Sequence, residues 1–116
     1  MLSLKNRLTR KSEIQKIQKR GTFFIKGSVQ LKALSNNLKQ SRFCVVAGLG
    51  FSKKATRRNS IKRLIRAYLR QNINKINPGW DMVIVAKKAA PHKPIDNQLI
   101  VDLHKILQQN YFLKNN

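Results

Sequence analysis

The spacing of apolar positions changes several times along the chain, and each change marks an element. Within 11–20, Ile14 and Ile17 stand three apart and share one face of a helix, with Ser12 placed to cap its start and Gly21 to end it. Residues 22–25 and 29–34 are rich in β-forming side chains and are broken by Lys26-Gly27, the pattern of a strand pair, and Ser35-Asn36-Asn37 reads as the next turn. By strand alternation, one of Phe23 and Phe24 faces inward and the other outward. Residues 43–49 form a nearly unbroken apolar run, which predicts a central strand covered on both faces, and 80–86 resembles it. Between these runs, over 57–71, Ile61, Leu64, Ile65, Tyr68 and Leu69 recur at helical spacing and form a core-facing stripe. Asn77-Pro78-Gly79 then turns the chain. Pro91 and Pro94 bracket a loop before a last helix over 95–111, where Leu99, Leu103, Ile106 and Leu107 repeat the stripe. The order α-β-β-β-α-β-α predicts one α+β domain over 1–116, a four-stranded sheet packed with helices.

Composition adds a partner to this picture. Lys and Arg number 25 against four acids among 116 residues, a net charge of +21, while 41% hydrophobic residues suffice for a core. So one-sided a charge calls for a polyanion. The acids are Glu13, Asp81, Asp96 and Asp102, so nothing between Ile14 and Trp80 offsets the sixteen Lys and Arg there. Their scarcity weighs against an autonomous nuclease, because two-metal cleavage and general acid/base work need clustered carboxylates. No protein metal site and no catalytic residue is expected. Cys44 is the only cysteine, which excludes an intramolecular disulfide and suits a reducing compartment. We expect it to be buried, Phe43, Phe51 and Trp80 to belong to the core rather than to stack on bases, and His92 and His104 to lie at the surface. No apolar run reaches the length of a signal peptide or membrane span, so a soluble cytoplasmic protein is expected.

The charge is concentrated in 53–70, where Lys53, Lys54, Arg57, Arg58, Lys62, Arg63, Arg66 and Arg70 make eight basic residues in eighteen without an acid. On a helix, Arg58, Lys62, Arg66 and Arg70 fall four apart and line one ridge, with Arg63 beside it. Like charges at that spacing repel, so an anionic partner accounts for the pattern better than a solvated helix face, which normally mixes in Glu. Arginine suits phosphate because its planar fork reaches two oxygens at once. Asn59 reads either as a further donor near the helix N-terminus or as a helix cap.

These residues resemble the protein subunit of bacterial ribonuclease P. The resemblance is carried by Gly48-Leu49-Gly50-Phe51-Ser52-Lys53-Lys54 and the following Arg58-Asn59-Ser60-Ile61-Lys62-Arg63-Leu64-Ile65-Arg66, which is similar to the family's arginine-and-asparagine signature helix. Asn6-Arg7-Leu8 and Asp81-Met82-Val83-Ile84-Val85-Ala86-Lys87-Lys88 extend it over nearly the whole chain. The resemblance implies a ribosomal protein S5 domain 2-like fold with a left-handed βαβ crossover through the signature helix. It implies a protein that assists a catalytic RNA, with magnesium ions bound mainly by that RNA, in removing the 5′ leader of precursor tRNA. By motif match, Lys53, Lys54, Arg58, Asn59, Lys62, Arg63 and Arg66 face the catalytic RNA, with Arg57 and Arg70 joining them through the charge pattern, and the resemblance suggests that Ile14, Gln18, Gln30 and Lys32 line a leader groove between the first helix and the sheet. Ser60 stands where the family typically has a second arginine, and Ala55-Thr56-Arg57 is shorter than the family's stretch there. Ile14 and Gln18 occupy commonly aromatic positions, so the groove is expected to rely on charge and hydrogen bonding more than on stacking, with the outward one of Phe23 and Phe24 free to line it. The partners so implied are ribonuclease P RNA and precursor tRNA, with no membrane and no protein partner. The alternatives are a structural ribosomal RNA-binding protein, which would share charge and fold class without the Lys-Lys and Arg-Asn-x-x-Lys-Arg-x-x-Arg run, and the disfavoured nuclease.

Overall fold

A computed structural model describes residues 2–87 and 95–114, with backbone alone at 95 and 96. The elements run α1 (Lys11–Arg20), β1 (Thr22–Lys26), β2 (Val29–Ser35), β3 (Arg42–Ala47), α2 (Ala55–Asn72), β4 (Trp80–Ala86) and α3 (Ile95–Gln109), in the order that the patterning predicts. The loop bracketed by Pro91 and Pro94, with His92, lies outside the described residues.

The sheet order is β1-β2-β4-β3, antiparallel except for the parallel pair β3 and β4, which α2 connects. The apolar run at 43–49 is therefore an edge strand of six residues and not the central strand its composition suggests. The reason is pairing rather than hydrophobicity: β4, buried from Asp81 to Ile84, takes the place between β2 and β3. On β3, Phe43, Val45 and Ala47 are buried, while Arg42, Cys44 and Val46 on the other face are only half-buried.

Two layers of unequal depth flank the sheet. On one face Leu31, Ile84, Met82, Phe43 and Val45 pack with Ile61, Ile65 and Leu69 of α2 and Leu99, Leu103, Ile106 and Leu107 of α3, so both predicted helical stripes enter one core. Phe24 faces this side, edge-on to Phe112, which also meets Trp80 at 5.0 Å. Among the described residues the other face is covered by α1, whose ten residues span about 15 Å, and by Leu8 of the N-terminal arm. The fully buried Ile17 of α1 packs on Val83 with Leu8. Because α1 lies over β2 and β4, the half of this face nearer Gln30, Val46 and Val85 stays partly exposed.

Local chemistry explains the element ends. Ser12 lies within α1 and does not cap it: Arg10 holds the cap position and makes no side-chain cap bond. Gly21 ends α1 as expected, with its N–H donating to Ile17 O at 2.7 Å, but at φ −68°. A glycine is required there by crowding, since a Cβ would collide with the Ile17 carbonyl. Gly27 in the β1–β2 turn is left-handed at φ +55° and abuts the Asp102 carboxylate. Asn36 closes the following turn by accepting from Leu38 N at 2.7 Å.

The few carboxylates do structural work. Arg42 donates Nε and Nη2 to Asp81 at 2.8 and 2.6 Å and reaches Glu13 at 2.9 Å, so one guanidinium joins β3, β4 and α1. These opposite charges, with their hydrogen bonds, hold the Arg42 pKa above its ordinary value against the effect of burial. Asp102, buried on α3, accepts from Gln98 at 3.0 Å.

Candidate nucleic-acid interface

Helix α2 has two chemistries because its apolar residues recur every fourth position. Ile61, Ile65 and Leu69 are fully buried, which turns the basic residues outward. Arg66 and Arg70 are exposed, as is Arg63 beside them, and Lys62 is half-buried. Among the described residues, none of Lys62, Arg63, Arg66 and Arg70 has a carboxylate partner, since both ion pairs belong to Arg42. This ridge is an uncompensated row of cations.

Arg58 differs from the rest of the ridge. Its Nη1 donates to the carbonyls of Ser52 and Lys53, both at 3.0 Å, and so holds the approach loop against the helix. Phe51, buried at the loop's turn, lies 5.5 Å under the Arg57 guanidinium, and Ser52 Oγ accepts from Lys54 N at 3.1 Å. Lys53 and Lys54 are exposed at this entrance. Helix α2 starts at Ala55 with Lys54 at the cap, which places Asn59 in the second turn; it is therefore not a cap, and its amide is exposed.

Strand register assembles a second surface on the α1 face. Phe23, Lys32, Val83 and Cys44 stand side by side across β1, β2, β4 and β3, and Ile25, Gln30, Val85 and Val46 form the next row. Beside the C-terminal end of α1 these rows leave a groove of about 400 Å³ lined by Gln18, Phe23, Gln30, Lys32, Val46, Val85 and Lys87, among others. Three of the four expected leader residues meet there. Ile14 does not line it and instead packs against the Leu8, Ile17 and Val83 cluster. The Lys32 ammonium donates to Gln18 O at 2.6 Å, at the helix end whose dipole favours a cation. Phe23, 49% exposed, supplies the aromatic that α1 lacks, so the groove is not purely polar. Strand alternation leaves one of Phe23 and Phe24 to line the groove, and it is Phe23; Lys87 was not expected at this surface. The signal for Lys87 was a cation directly after β4.

The expected bland residues divide. His104 is exposed and shares a 2.7 Å hydrogen bond with Tyr68 across α2 and α3. Burial pushes the Tyr68 hydroxyl up to about 12 from 10.0. The folded state then keeps its proton where the unfolded chain has lost it, so this group's stabilisation is complete below pH 10 and is lost as pH rises towards 12. In a Tyr111→Phe variant, which leaves Tyr68 as the one tyrosine, the tyrosinate absorbance step is expected near pH 12. A step near pH 10 would show that the α2–α3 contact does not shield it. Cys44 is half-buried rather than buried. Burial pushes its thiol up, and the charge of Arg66 opposes that.

Among the described residues no helix is long and apolar enough to cross a membrane. Comparison with known proteins agrees with the fold. The family model Ribonuclease P matches residues 2–111. The ribonuclease P protein component of Fusobacterium nucleatum is 42% identical over 83 residues, covering 72% of this chain and 74% of the relative. The solved ribonuclease P protein of Staphylococcus aureus superposes with a TM-score of 0.82 over 94% of this chain and 98% of its own, a likeness of fold at 20% identity. That of Thermotoga maritima gives 0.76 over 89% and 96%, at 26% identity.

Proposed function

The chain belongs to the ribonuclease P protein family, the protein component of an endoribonuclease that acts with ribonuclease P RNA, and from that premise we propose how its two surfaces divide the work. The ridge of α2 with Lys53, Lys54 and Arg57 docks the catalytic RNA, and the groove beside α1 holds the single-stranded 5′ leader of precursor tRNA. The two surfaces lie on opposite sides of the sheet, so one protein can grip enzyme RNA and substrate together. The observation that carries this reading is the row Lys62, Arg63, Arg66 and Arg70 on α2, which among the described residues has no carboxylate partner. Such a row gains affinity by releasing condensed counterions and positions RNA without reading its sequence.

Catalysis belongs to the RNA in this reading. Among the described residues no three His, Cys, Asp or Glu side chains converge on a metal-sized space. Glu13 and Asp81 share Arg42, and Asp102 is buried beside α3's own Gln98. These donors do not fit a protein-held magnesium ion. We therefore assign the ions to the RNA, and we place the protein's action in the cytoplasm.

Within the groove, the leader's bases would lie on Phe23, Val46 and Val85, with Lys32 and Lys87 near its phosphates. Phe23→Ala is expected to weaken precursor binding about tenfold, since stacking one base on an aromatic is worth about 1 to 3 kcal/mol. Mature tRNA, which has no leader, should bind this variant as it binds the wild type. Equal losses for both RNAs would remove the groove from leader binding.

A further inference from the structure

A second cleft, larger than the leader groove, lies where the edge of β3 meets α2. It measures about 540 Å³, within the range of sites that take a small-molecule-sized group. Leu2, Leu8, Phe43, Val45, Cys44 and Ala67 give it an apolar lining, and Arg7, Arg63 and Arg66 stand around it. It wraps round the edge strand: Cys44 belongs to the α1 face of the sheet, whereas Arg63, Arg66 and Ala67 come from α2 on the opposite face.

The N-terminal arm builds one wall and then stops. Buried Asn6 donates to Ser41 O at 2.8 Å, Arg7 Nε donates to Leu2 O at 2.9 Å, and Leu8 N donates to Phe43 O at 2.8 Å, a single bridge to β3. Among the described residues, no strand pairs with the outer edge of β3 beyond that bridge. Because the Phe43 carbonyl points outward, the two-residue period of the strand turns the N–H and C=O of Val45 outward too. Among the described residues this donor and acceptor have no partner, and they stand beside an apolar floor with arginines at the rim. A flat heteroaromatic ring with polar edges, attached to a phosphate, satisfies all three.

We infer that this cleft takes one unstacked nucleotide of the RNA partner, its base over the floor of Phe43, Cys44 and Leu8 and against the edge of Val45, its phosphate between Arg63 and Arg66. The inference rests on α2 being the RNA-docking helix and adds to it a defined pocket at the helix's flank. Single-stranded and bulged nucleotides are the parts of RNA whose bases can be splayed out in this way. A purely electrostatic ridge needs no cavity. The cleft adds a base contact, which depends on shape, to the phosphate contacts of the ridge.

Cys44, the sole cysteine, lies in the cleft and reports on it directly. In the wild-type protein its alkylation by N-ethylmaleimide, a small uncharged reagent, should slow about tenfold or more when bacterial ribonuclease P RNA saturates the protein, because thiol reaction depends on access. Ala67→Phe fills the cleft from α2. It should lower RNA affinity about tenfold, the worth of one base contact, while flattening the log-log salt dependence by no more than about 0.9, the share of the single phosphate held between Arg63 and Arg66. A thiol equally reactive in free and bound protein overturns the inference, and so does an Ala67→Phe protein that binds like the wild type. Steep salt-dependent binding with an unprotected thiol removes the pocket and keeps the docking reading, whereas absence of RNA binding removes both.

Discussion

Replacing Lys62, Arg66 and Arg70 together by alanine should lower affinity for ribonuclease P RNA about a hundredfold near 0.1 M salt and flatten the log-log salt dependence by about two to three, because each neutralised phosphate contributes about 0.7 to 0.9 to the slope. The two numbers are one quantity seen twice: a slope change of about two to three, acting across the decade between 1 M and 0.1 M salt, is a loss of about two logarithmic units. Arg58 is left out of the triple because it holds the Ser52 and Lys53 carbonyls, and its loss would disturb the loop as well as the charge. Folding should not suffer. Arg66 and Arg70 are exposed, Lys62 is half-buried, and removing neighbouring like charges relieves repulsion along the helix. Binding titrations of wild type and variant at four or more salt concentrations give both numbers. Parallel slopes would mean that the ridge does not meet phosphate.

Arg42→Ala should destabilise the fold by about 3 kcal/mol, the cost of breaking a buried pair from one side, which is a large part of the about 5 to 15 kcal/mol typical of a domain. The loss occurs although the variant carries one positive charge fewer on a chain of +21. Asp81, with a side chain only 9% exposed, keeps its hydrogen bond from Asn36 but loses both bonds from the guanidinium. Glu13, at 32%, is the dispensable partner, and Glu13→Ala should cost no more than about 1 kcal/mol. Denaturant midpoints measured side by side test the asymmetry. Equal losses would show that the brace to α1, rather than the pair inside the sheet, matters most.

How far the sequence could be read follows from which interactions are local. The stripes at Ile61, Ile65 and Leu69 and at Leu99, Leu103 and Leu107 stand at helical spacing, and burial of both in one core was legible from spacing alone. The place of β3 was not, because an apolar run reads the same in a central strand and in an edge strand whose outer face is half covered. Choosing β4 as the inner strand takes pairings more than thirty residues apart. The ridge was legible because one helix carries it. The groove was legible only in part: Gln18, Gln30 and Lys32 meet as expected, whereas Phe23 and Lys87 join them through cross-strand register, and Ile14 turns inward to pack. Cys44 was expected in the core and is half-buried, because α1 covers β2 and β4 and leaves β3 partly open.

Reconstitution tests the division of labour between protein and RNA most directly. Wild-type protein is added to a bacterial ribonuclease P RNA at low magnesium concentration, and release of the 5′ leader from a precursor tRNA is followed with protein alone, RNA alone and both together. The account predicts no cleavage by the protein alone, slow cleavage by the RNA alone, and clear acceleration when the two are combined. Cleavage by the protein without RNA, or no acceleration on combining them, would contradict it.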